Sequence, residues 1–257
     1  MSDRMSSQIS LANVDVNFGA KSVLSDLNFE VFEGEVVSVV GASGCGKTTS
    51  LRLLAGLLAP SRGTVNFDGK PVNGPRREAA IVFQDYGKAL LPWRTAEGNV
   101  SLALETMRVP RTKRSARIAE LLELTGLAQH HDKYPAQMSG GMQQRLQIAR
   151  ALAQNPEVLL MDEPFGALDA MTRQALQDEL LDLSARTGVT IYFVTHDLEE
   201  AIYLSDRIIG LLPNPGRIGR IFDVPLPRPR NQLTTKEDPL FLELRHELYE
   251  FVKGNES

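Results

Sequence analysis

Residues 41–48, GASGCGKT, have the residue types and spacing that bind phosphate groups. They fit the pattern G-x-x-x-x-G-K-[ST], follow a β-branched run at 36–40 and precede a plausible helix at 51–57. Glycines let the backbone curl so that several N–H groups point at one anion, and a helix N-terminus adds partial positive charge. We therefore expect Lys47 to reach the β- and γ-phosphates of a nucleotide and the Thr48 hydroxyl to bind Mg²⁺.

Cys45, the single cysteine of the chain, lies inside this loop. The interpretation that we favour is a small side chain that fits there. The alternative is a thiol of low pKa at a helix N-terminus. One cysteine excludes an intrachain disulfide framework and a zinc cluster.

Two adjacent acids, Asp162 and Glu163, end the apolar run at 158–161. Neighbouring acids at the carboxyl end of a buried strand are costly unless a cation or a reaction uses them. Carboxylates are common Mg²⁺ ligands, so Asp162 is expected to hold the metal ion, through water. Glu163 is then the candidate base that polarises the attacking water.

Two further polar residues follow apolar segments that read as strands. His196 comes after the run 189–194, and Gln84 comes after the run 79–83. A histidine taken alone is more often structural than catalytic, and a lone glutamine has no particular meaning. At the carboxyl ends of strands, however, His196 could contact a γ-phosphate and the Gln84 amide oxygen could complete a Mg²⁺ shell.

A second anion-binding segment opens a helix at 138–145, MSGGMQQR. The Ser139 hydroxyl and the N–H groups of Gly140 and Gly141 form a nest at the helix start. A chain with two phosphate-binding helix starts is most simply explained if the second faces a nucleotide held by another copy.

With these motifs in this order, the sequence resembles the ATP-binding subunit of an ABC transporter. SGGMQQR resembles the ABC signature and lies upstream of the LLMDEP strand, as in that family. Residues 166–169 resemble the D-loop, and residues 195–197 resemble the switch-histidine motif. The resemblance runs from Ile9 to about Leu212.

The resemblance implies a role for each of these residues. Phe18 takes the place of an aromatic residue, more often Tyr, that stacks on adenine, and Met138 replaces the commoner Leu, a volume-conserving change. Glu163 would be the base, and His196 would position the γ-phosphate and water. The catalytic residues implied are Glu163, His196 and Lys47, and the metal ligands are Thr48, Gln84 and Asp162. The implied nucleotide contacts are Phe18, Gly41, Ala42, Ser43, Gly44, Cys45, Gly46, Lys47, Thr48, Thr49, Gln84, Ser139, Gly140, Gly141, Gln143 and Asp169.

The resemblance also implies partners. Two subunits of this family close head to tail around two ATP molecules, so a homodimer is expected in the ATP-bound state. The motion drives transmembrane permease subunits, whose coupling helices sit in a groove near Gln84, and indirectly involves a periplasmic or lipid-anchored solute-binding protein. The loop 84–94 is apolar and aromatic, and Leu90, Leu91 and Trp93 either face such a helix or pack internally.

The segments LLPWRTAEGNV and PLPRPR, with the helix-like stretch after them, are similar to one bacterial importer group. That group handles nitrate, sulfonates, taurine and related solutes, including thiamine precursors. Neither segment selects the solute. An alternative is a soluble ABC ATPase of DNA maintenance or translation, but such proteins usually carry long coiled coils or two cassettes. A P-loop kinase or GTPase is opposed by the signature segment and by the adjacent acids.

The elements that must position these residues form an α/β pattern. Residues 9–16 alternate apolar and polar as a half-buried strand does, whereas the runs at 36–40, 158–161 and 189–194 are typical of a parallel sheet covered on both faces. Helical spacing precedes Gly126 and Pro156, and Asp169 and Asp238 are candidate helix caps. The expected fold is a P-loop NTPase with a RecA-like core at about 1–84 and 156–221 and an antiparallel β subdomain. A helical signature subdomain is expected at about 85–155, and a tail with a helix at 222–257, all within a single ABC ATP-binding domain spanning 1–257.

Composition limits the remaining possibilities. The 257 residues carry 28 Lys+Arg and 32 Asp+Glu, a net charge of −4, which argues against a nucleic-acid partner bound by bulk charge. No run approaches the roughly 18 consecutive apolar residues that a membrane span needs, and no signal segment is apparent. We expect a soluble, cytoplasmic protein that works peripherally at the inner face of the cell membrane.

Overall fold

The computed structural model describes residues 6–255. The strands are β1 (Ser7–Phe18), β2 (Lys21–Phe32), β3 (Val36–Gly41), β4 (Arg62–Phe67), β5 (Lys70–Pro71), β6 (Ala79–Val82), β7 (Val158–Asp162), β8 (Thr190–Val194), β9 (Arg207–Leu212) and β10 (Arg217–Asp223). The α-helices are α1 (Lys47–Leu54), α2 (Tyr86–Ala89), α3 (Ala96–Thr106), α4 (Arg111–Leu124), α5 (Gly140–Leu152), α6 (Ala170–Thr187), α7 (Leu198–Leu204) and α8 (Pro239–Lys253).

The central sheet has six strands in the order β10-β9-β3-β8-β7-β6. The five strands from β9 to β6 are parallel, and β10 pairs antiparallel at one edge. The run at 36–40 is covered on both faces, because Val36 and Val40 belong to one apolar cluster while Val37 and Val39 belong to the other. The predicted α/β P-loop fold is confirmed.

A second sheet has the order β2-β1-β4-β5 and is antiparallel. The predicted alternation in β1 breaks in the middle, since Leu11 and Val14 are both buried although they are three residues apart. The register shifts between them, and Asn13 has φ 51, so a bulge returns the apolar side chains to the same face. A period of two alone could not predict this bulge.

Helices α2–α5 lie between β6 and β7 in the sequence, within the stretch expected to be helical. Ser139 caps α5, and Thr95 caps α3 by accepting a hydrogen bond from the Gly98 N–H. Helix α5 also packs on β6 and α6, so the division of this stretch into a subdomain stays a prediction.

Helix α1 begins at Lys47, not at Leu51, and ends at Leu54, earlier than expected. Gly56 has φ +68, and a Cβ there would lie 2.1 Å from the Gly74 carbonyl oxygen. The chain therefore turns sharply at a point where only glycine fits.

The C-terminal helix α8 begins as predicted, with the Asp238 carboxylate accepting the Leu240 N–H at 2.8 Å. Its buried face consists of Phe241, Leu244 and Leu248. The helix packs on α7 and β9. Among the helices described, none has the length and apolar character needed to cross a membrane.

Candidate active site

The loop after β3 leads into α1 at Gly46. Gly46 has φ +100, a backbone conformation that glycine adopts without the strain that other residues would have there. A Cβ at Gly46 would also lie 2.4 Å from Leu24 Cδ2, so the loop rests directly on β2. Lys47 is buried, and its Nζ donates to the Gly41 carbonyl at 2.7 Å and to the Ala42 carbonyl at 3.2 Å. The ammonium group is thus held inside the curl of the loop, with the neighbouring residues 43 and 44 exposed to solvent.

Cys45 is buried in the apolar cluster beneath this loop. Burial raises the pKa of its thiol, against the opposing charge of Lys47. A raised pKa keeps the thiol protonated at neutral pH, so the low-pKa alternative is wrong and the small-residue interpretation stands.

The Thr48 Oγ1 donates to Asp162 Oδ1 at 3.1 Å, which joins the start of α1 to the end of β7. Burial raises the pKa of Asp162, and the Glu163 charge raises it further, whereas the Thr48 hydrogen bond and the charges of Arg52 and Lys47 oppose the shift. A cation beside Asp162 would relieve this cost. The Thr48 hydroxyl, the Asp162 carboxylate and the Gln84 amide each offer an oxygen atom as a metal ligand. Mg²⁺ prefers oxygen ligands, so the chemistry of these residues fits this ion.

Glu163, Gln84 and His196 come together from the ends of three neighbouring strands. Gln84 Nε2 donates to Glu163 Oε2 at 3.0 Å, and His196 Nδ1 lies 3.2 Å from the same oxygen. Glu163 itself has φ 44, an uncommon conformation for a non-glycine residue and one that recurs at functional sites. A carboxylate with 24% of its side chain exposed, held between an amide and an imidazole, has the geometry of a general base.

The segment at 138–145 is built around the N-terminus of α5. The Ser139 hydroxyl accepts the Met142 N–H at 3.3 Å, and a Cβ at Gly141 would lie 2.4 Å from Thr172 Cγ2 on α6. Gln143 Nε2 donates to the Pro135 and Met138 carbonyls at 3.0 and 3.2 Å. Gln143 was expected to contact the nucleotide. In the structure its amide N–H groups are hydrogen-bonded within this segment and stabilise its conformation.

Within residues 6–255, no hydrogen bond joins Ser139, Gly140 or Gly141 to the loop at 41–48. The structure brings together Lys47, Asp162, Glu163, Gln84 and His196, and the second anion-binding segment is not bonded to this group within the described residues. The exposed Ser139 side of α5 is available to another molecule.

Phe18 and Asp169 complete the expected set. Phe18 ends β1 beside the turn into β2, the strand on which the loop rests, and 53% of its surface is exposed. Its ring is free for stacking. The Asp169 carboxylate accepts the Thr172 N–H at 3.1 Å and caps α6, and this hydrogen bonding lowers its pKa. Its visible role is structural.

Sequence reasoning missed two residues behind this site. Arg173 on α6 donates to the Leu168 carbonyl at 3.1 Å and reaches Asp197 at 3.3 Å. Glu200 is 5% exposed, which is unusual for a carboxyl group, and it bonds the Thr195 hydroxyl. The sequence did hold a signal for Glu200. This acidic residue lies four positions after His196 and is followed by the apolar residues 201–204 of α7.

Comparison with known proteins adds three kinds of similarity. A family profile described as ABC transporter matches residues 24–166. An uncharacterized ABC transporter ATP-binding protein of Methanocaldococcus jannaschii is 44% identical over 98% of this chain and 93% of its own length. The nitrate import ATP-binding protein NrtC of Synechococcus elongatus is 45% identical over 91% of this chain, which spans 36% of that protein.

Solved structures are similar over most of the chain. The structure of cbiO1 from Clostridium perfringens, part of the ABC transporter complex cbiONQ, has a TM-score of 0.81 at 26% identity, covering 95% of this chain and 94% of that one. A dimeric ATP-binding cassette in a post-hydrolysis state, bound to ADP and Pi, has a TM-score of 0.72 at 34% identity, covering 84% and 98%.

Proposed function

The chain belongs to the ABC transporter family as an ATP-binding, ATP-hydrolysing subunit, and from this premise we propose that it energises the import of a small solute such as nitrate, a sulfonate or taurine. The observation that carries the proposal is the 45% identity to a nitrate import protein over 91% of this chain. That similarity extends well beyond residues 24–166, the part common to the wider family.

We assign the steps of hydrolysis to residues that converge at one edge of the sheet. The loop at 41–48 and Lys47 bind the phosphates of ATP, and Phe18 stacks on the adenine. Thr48, Gln84 and Asp162 hold Mg²⁺, which when bound neutralises phosphate charge. Glu163 takes a proton from the attacking water, and His196 orients that water and the γ-phosphate.

The other half of each site comes from a second copy. Ser139, Gly140 and Gly141 contact the γ-phosphate bound by the partner subunit, which gives a homodimer in the ATP-bound state. Two observations support this: these residues make no hydrogen bond to their own chain's loop in the described residues, and a similar cassette was solved as a dimer with ADP and Pi.

Replacing Gly141 with Ala is expected to reduce kcat roughly tenfold or more and to leave ATP binding by the single chain unchanged. The added Cβ would lie 2.4 Å from Thr172 Cγ2, which pushes the start of α5 away from α6. Small displacements of this kind are costly in reactions that depend on position. ATPase assays with fluorescent-ATP titrations measure both quantities.

The matched control is Gly74→Ala, because a Cβ at Gly74 meets no atom within 4 Å. The double variant Gly141→Ala/Thr172→Ser removes the clashing methyl group and is expected to recover much of the activity. Equal activities of Gly141→Ala and Gly74→Ala would argue against this role for α5.

The coupling surface lies in the loop after Gln84. Leu90 is 2% exposed and packs internally, whereas Trp93 is 71% exposed and Phe83 is also exposed. An exposed tryptophan is an anchor typical of protein interfaces. We assign Trp93 to contact with a permease subunit, and we place the complex at the cytoplasmic face of the inner membrane, with a periplasmic or lipid-anchored solute-binding protein on the other side.

Trp93→Ala is expected to leave the ATPase activity of the isolated chain unchanged and to abolish the extra activity that permease and solute produce. The measurement is ATPase activity of the complex with its permease and solute-binding protein in proteoliposomes, with nitrate, taurine, an alkanesulfonate, bicarbonate or a thiamine precursor added in turn. Tyr249→Ala, an exposed aromatic on α8, is the control. The solute that stimulates activity identifies the cargo, and stimulation by none would contradict an importer of this group.

The alternative, a soluble ABC ATPase of DNA maintenance or translation, receives no support. The longest helix described, α6, has 18 residues, which is short for the coiled coils that such proteins usually carry.

A further inference from the structure

Glu200 lies on α7, directly behind the switch histidine, and both of its carboxyl oxygens accept hydrogen bonds. Its Oε2 accepts the Thr195 hydroxyl, and its Oε1 accepts Gln177 Nε2 at 3.4 Å. The side chain is almost wholly buried. A buried carboxyl group with two donors aimed at it is costly to keep unless it does something specific.

The contact with Thr195 controls the turn that carries His196. The Thr195 hydroxyl donates to Glu200 and at the same time accepts the Asp197 N–H at 3.0 Å. His196 stands between these two residues, and 66% of its side chain is exposed. Because the imidazole has little packing of its own, the turn 195–197 decides where it stands relative to Glu163.

A small cavity of about 20 Å³ is lined by both Glu200 and Glu163. Its polar lining comes from α6, from α7 and from the loops after β7 and β8, namely Arg173, Glu200, Glu163, His196 and Asp197, and Phe165 lines it as well. The volume suffices for one water molecule. The buried Arg173 Nε has no hydrogen-bond partner among the described residues and could bind such a water. Glu200 and Glu163 therefore border the same small space.

The same chain of contacts continues outward to the C-terminal segment. Gln177, which donates to Glu200, accepts Gln232 Nε2 at 3.2 Å. Gln232 also donates to Asp178 Oδ1 at 3.0 Å. Gln232, in the segment before α8, thus stabilises the position of Gln177, which in turn is hydrogen-bonded to Glu200.

We propose that Glu200 is a positioning residue for ATP hydrolysis: as a carboxylate it holds Thr195 and thereby fixes the turn that presents His196 to Glu163. The inference rests on the proposed function, since it assigns a role within that ATPase site. It predicts an effect on kcat with little effect on the KM for ATP, because the phosphate loop and Phe18 belong to other elements.

The ionisation of Glu200 gives this role a pH dependence. Burial, together with the nearby charge of Asp197, raises the pKa of Glu200 to about 7, although the hydrogen bonds from Thr195 and Gln177 and the charge of Arg173 oppose the shift. Below that pKa the carboxyl group is protonated, becomes a donor, and can no longer accept from both Thr195 and Gln177. We expect kcat to fall as the pH drops through about 7.

The test compares Glu200→Gln and Glu200→Ala with the same changes at Glu199, the half-buried neighbour on α7, whose carboxylate pairs with Arg245 and not with Thr195. Glu200→Ala is expected to lower kcat roughly tenfold or more, with KM changed less than about twofold. Glu200→Gln retains one hydrogen-bond acceptor, so its loss of kcat should be several-fold smaller than that of Glu200→Ala. Its kcat should also lack the decrease that the wild type shows as the pH falls through about 7. The Glu199 variants should match the wild type.

A stability measurement separates positioning from a folding defect. A carboxyl pKa raised on folding favours the folded state below the unfolded value, near pH 4.3, and this contribution is lost as the pH rises through about 7. Glu200→Gln has no such loss, so its Tm at pH 8 should equal or exceed that of the wild type although its kcat is lower. As a second probe, Thr195→Val should lower kcat and Thr195→Ser should retain it.

The outcomes are distinguishable from failure of the proposed function. Wild-type protein and Glu163→Gln are assayed in the same series, and a wild type that does not hydrolyse MgATP would overturn the ATPase assignment itself. If the wild type hydrolyses ATP and Glu200 variants match Glu199 variants at every pH, the positioning role is wrong. Equal losses of kcat and ATP binding with a lowered Tm in Glu200→Gln would likewise overturn it, because the role would then be structural.

Discussion

Glu163→Gln is expected to slow ATP hydrolysis by about 10²–10⁴-fold while ATP still binds, because only the base is lost. The Gln amide oxygen can still accept Gln84 Nε2, now at 3.0 Å from the carboxylate, and the side-chain volume is conserved. The backbone at position 163, with φ 44, costs Gln as much as Glu. The local geometry should therefore persist, while the proposed base is gone.

A stalled site should also trap the assembly. With ATP bound and not hydrolysed, two copies remain closed around two nucleotides, so Glu163→Gln is expected to elute as a dimer with MgATP and as a monomer without nucleotide. Size-exclusion chromatography with light scattering measures this, alongside steady-state ATPase. Glu243→Gln, an exposed glutamate on α8, is the matched control. Hydrolysis at the wild-type rate by Glu163→Gln would remove Glu163 from the role of base.

The convergence of Gln84, Glu163 and His196 could be predicted from the sequence because the strands before them are parallel. Parallel strands end at one edge of a sheet, so residues that follow three buried runs lie along that edge, and they come into contact here because β8, β7 and β6 are neighbours. Hydrophobic runs of four to six residues reveal such strands directly. The fold and the main cluster of candidate residues thus follow from local patterns.

Contacts that depend on how helices pack could not be predicted in this way. The requirement for glycine at position 141 arises from Thr172, thirty-one residues later, and the hydrogen bond that Glu200 accepts from Gln177 spans twenty-three residues between α6 and α7. No periodicity within one segment records such a pairing, because the two partners are joined only by the packing of α5, α6 and α7.

The resemblance to a family implies a set of nucleotide contacts, but it does not show which side chains already have hydrogen-bond partners within the chain. Gln143 and Asp169 illustrate this: one holds the Pro135 and Met138 carbonyls, and the other caps α6. Their side chains are occupied within the chain itself, so contact with ATP through these groups would require them to exchange partners. For these two residues a nucleotide-binding role stays a prediction.

Lys47→Ala is expected to raise the Kd for ATP by about tenfold to a hundredfold. A hydrogen bond to a charged group contributes about 1.5–3 kcal/mol, and each 1.4 kcal/mol corresponds to a factor of ten in Kd. The buried ammonium group is held by the Gly41 and Ala42 carbonyls at 2.7 and 3.2 Å, so it is already inside the loop that receives the phosphates. An ammonium group has three donors and these two bonds use two of them, so the third can bind a phosphate oxygen without an exchange of partners.

The same substitution should weaken the binding of ATP more than the binding of adenosine, because the lost charge of Lys47 interacts with the phosphates and not with the base. Titration with a fluorescent ATP analogue, and competition by ATP, ADP and adenosine, measures this difference. Lys70→Ala removes an exposed lysine on β5 and serves as the control for lost charge alone. Undiminished ATP affinity in Lys47→Ala would contradict the assignment of residues 41–48 as the phosphate loop, whereas an equal loss for ATP and adenosine would indicate that the loop had collapsed around the missing side chain.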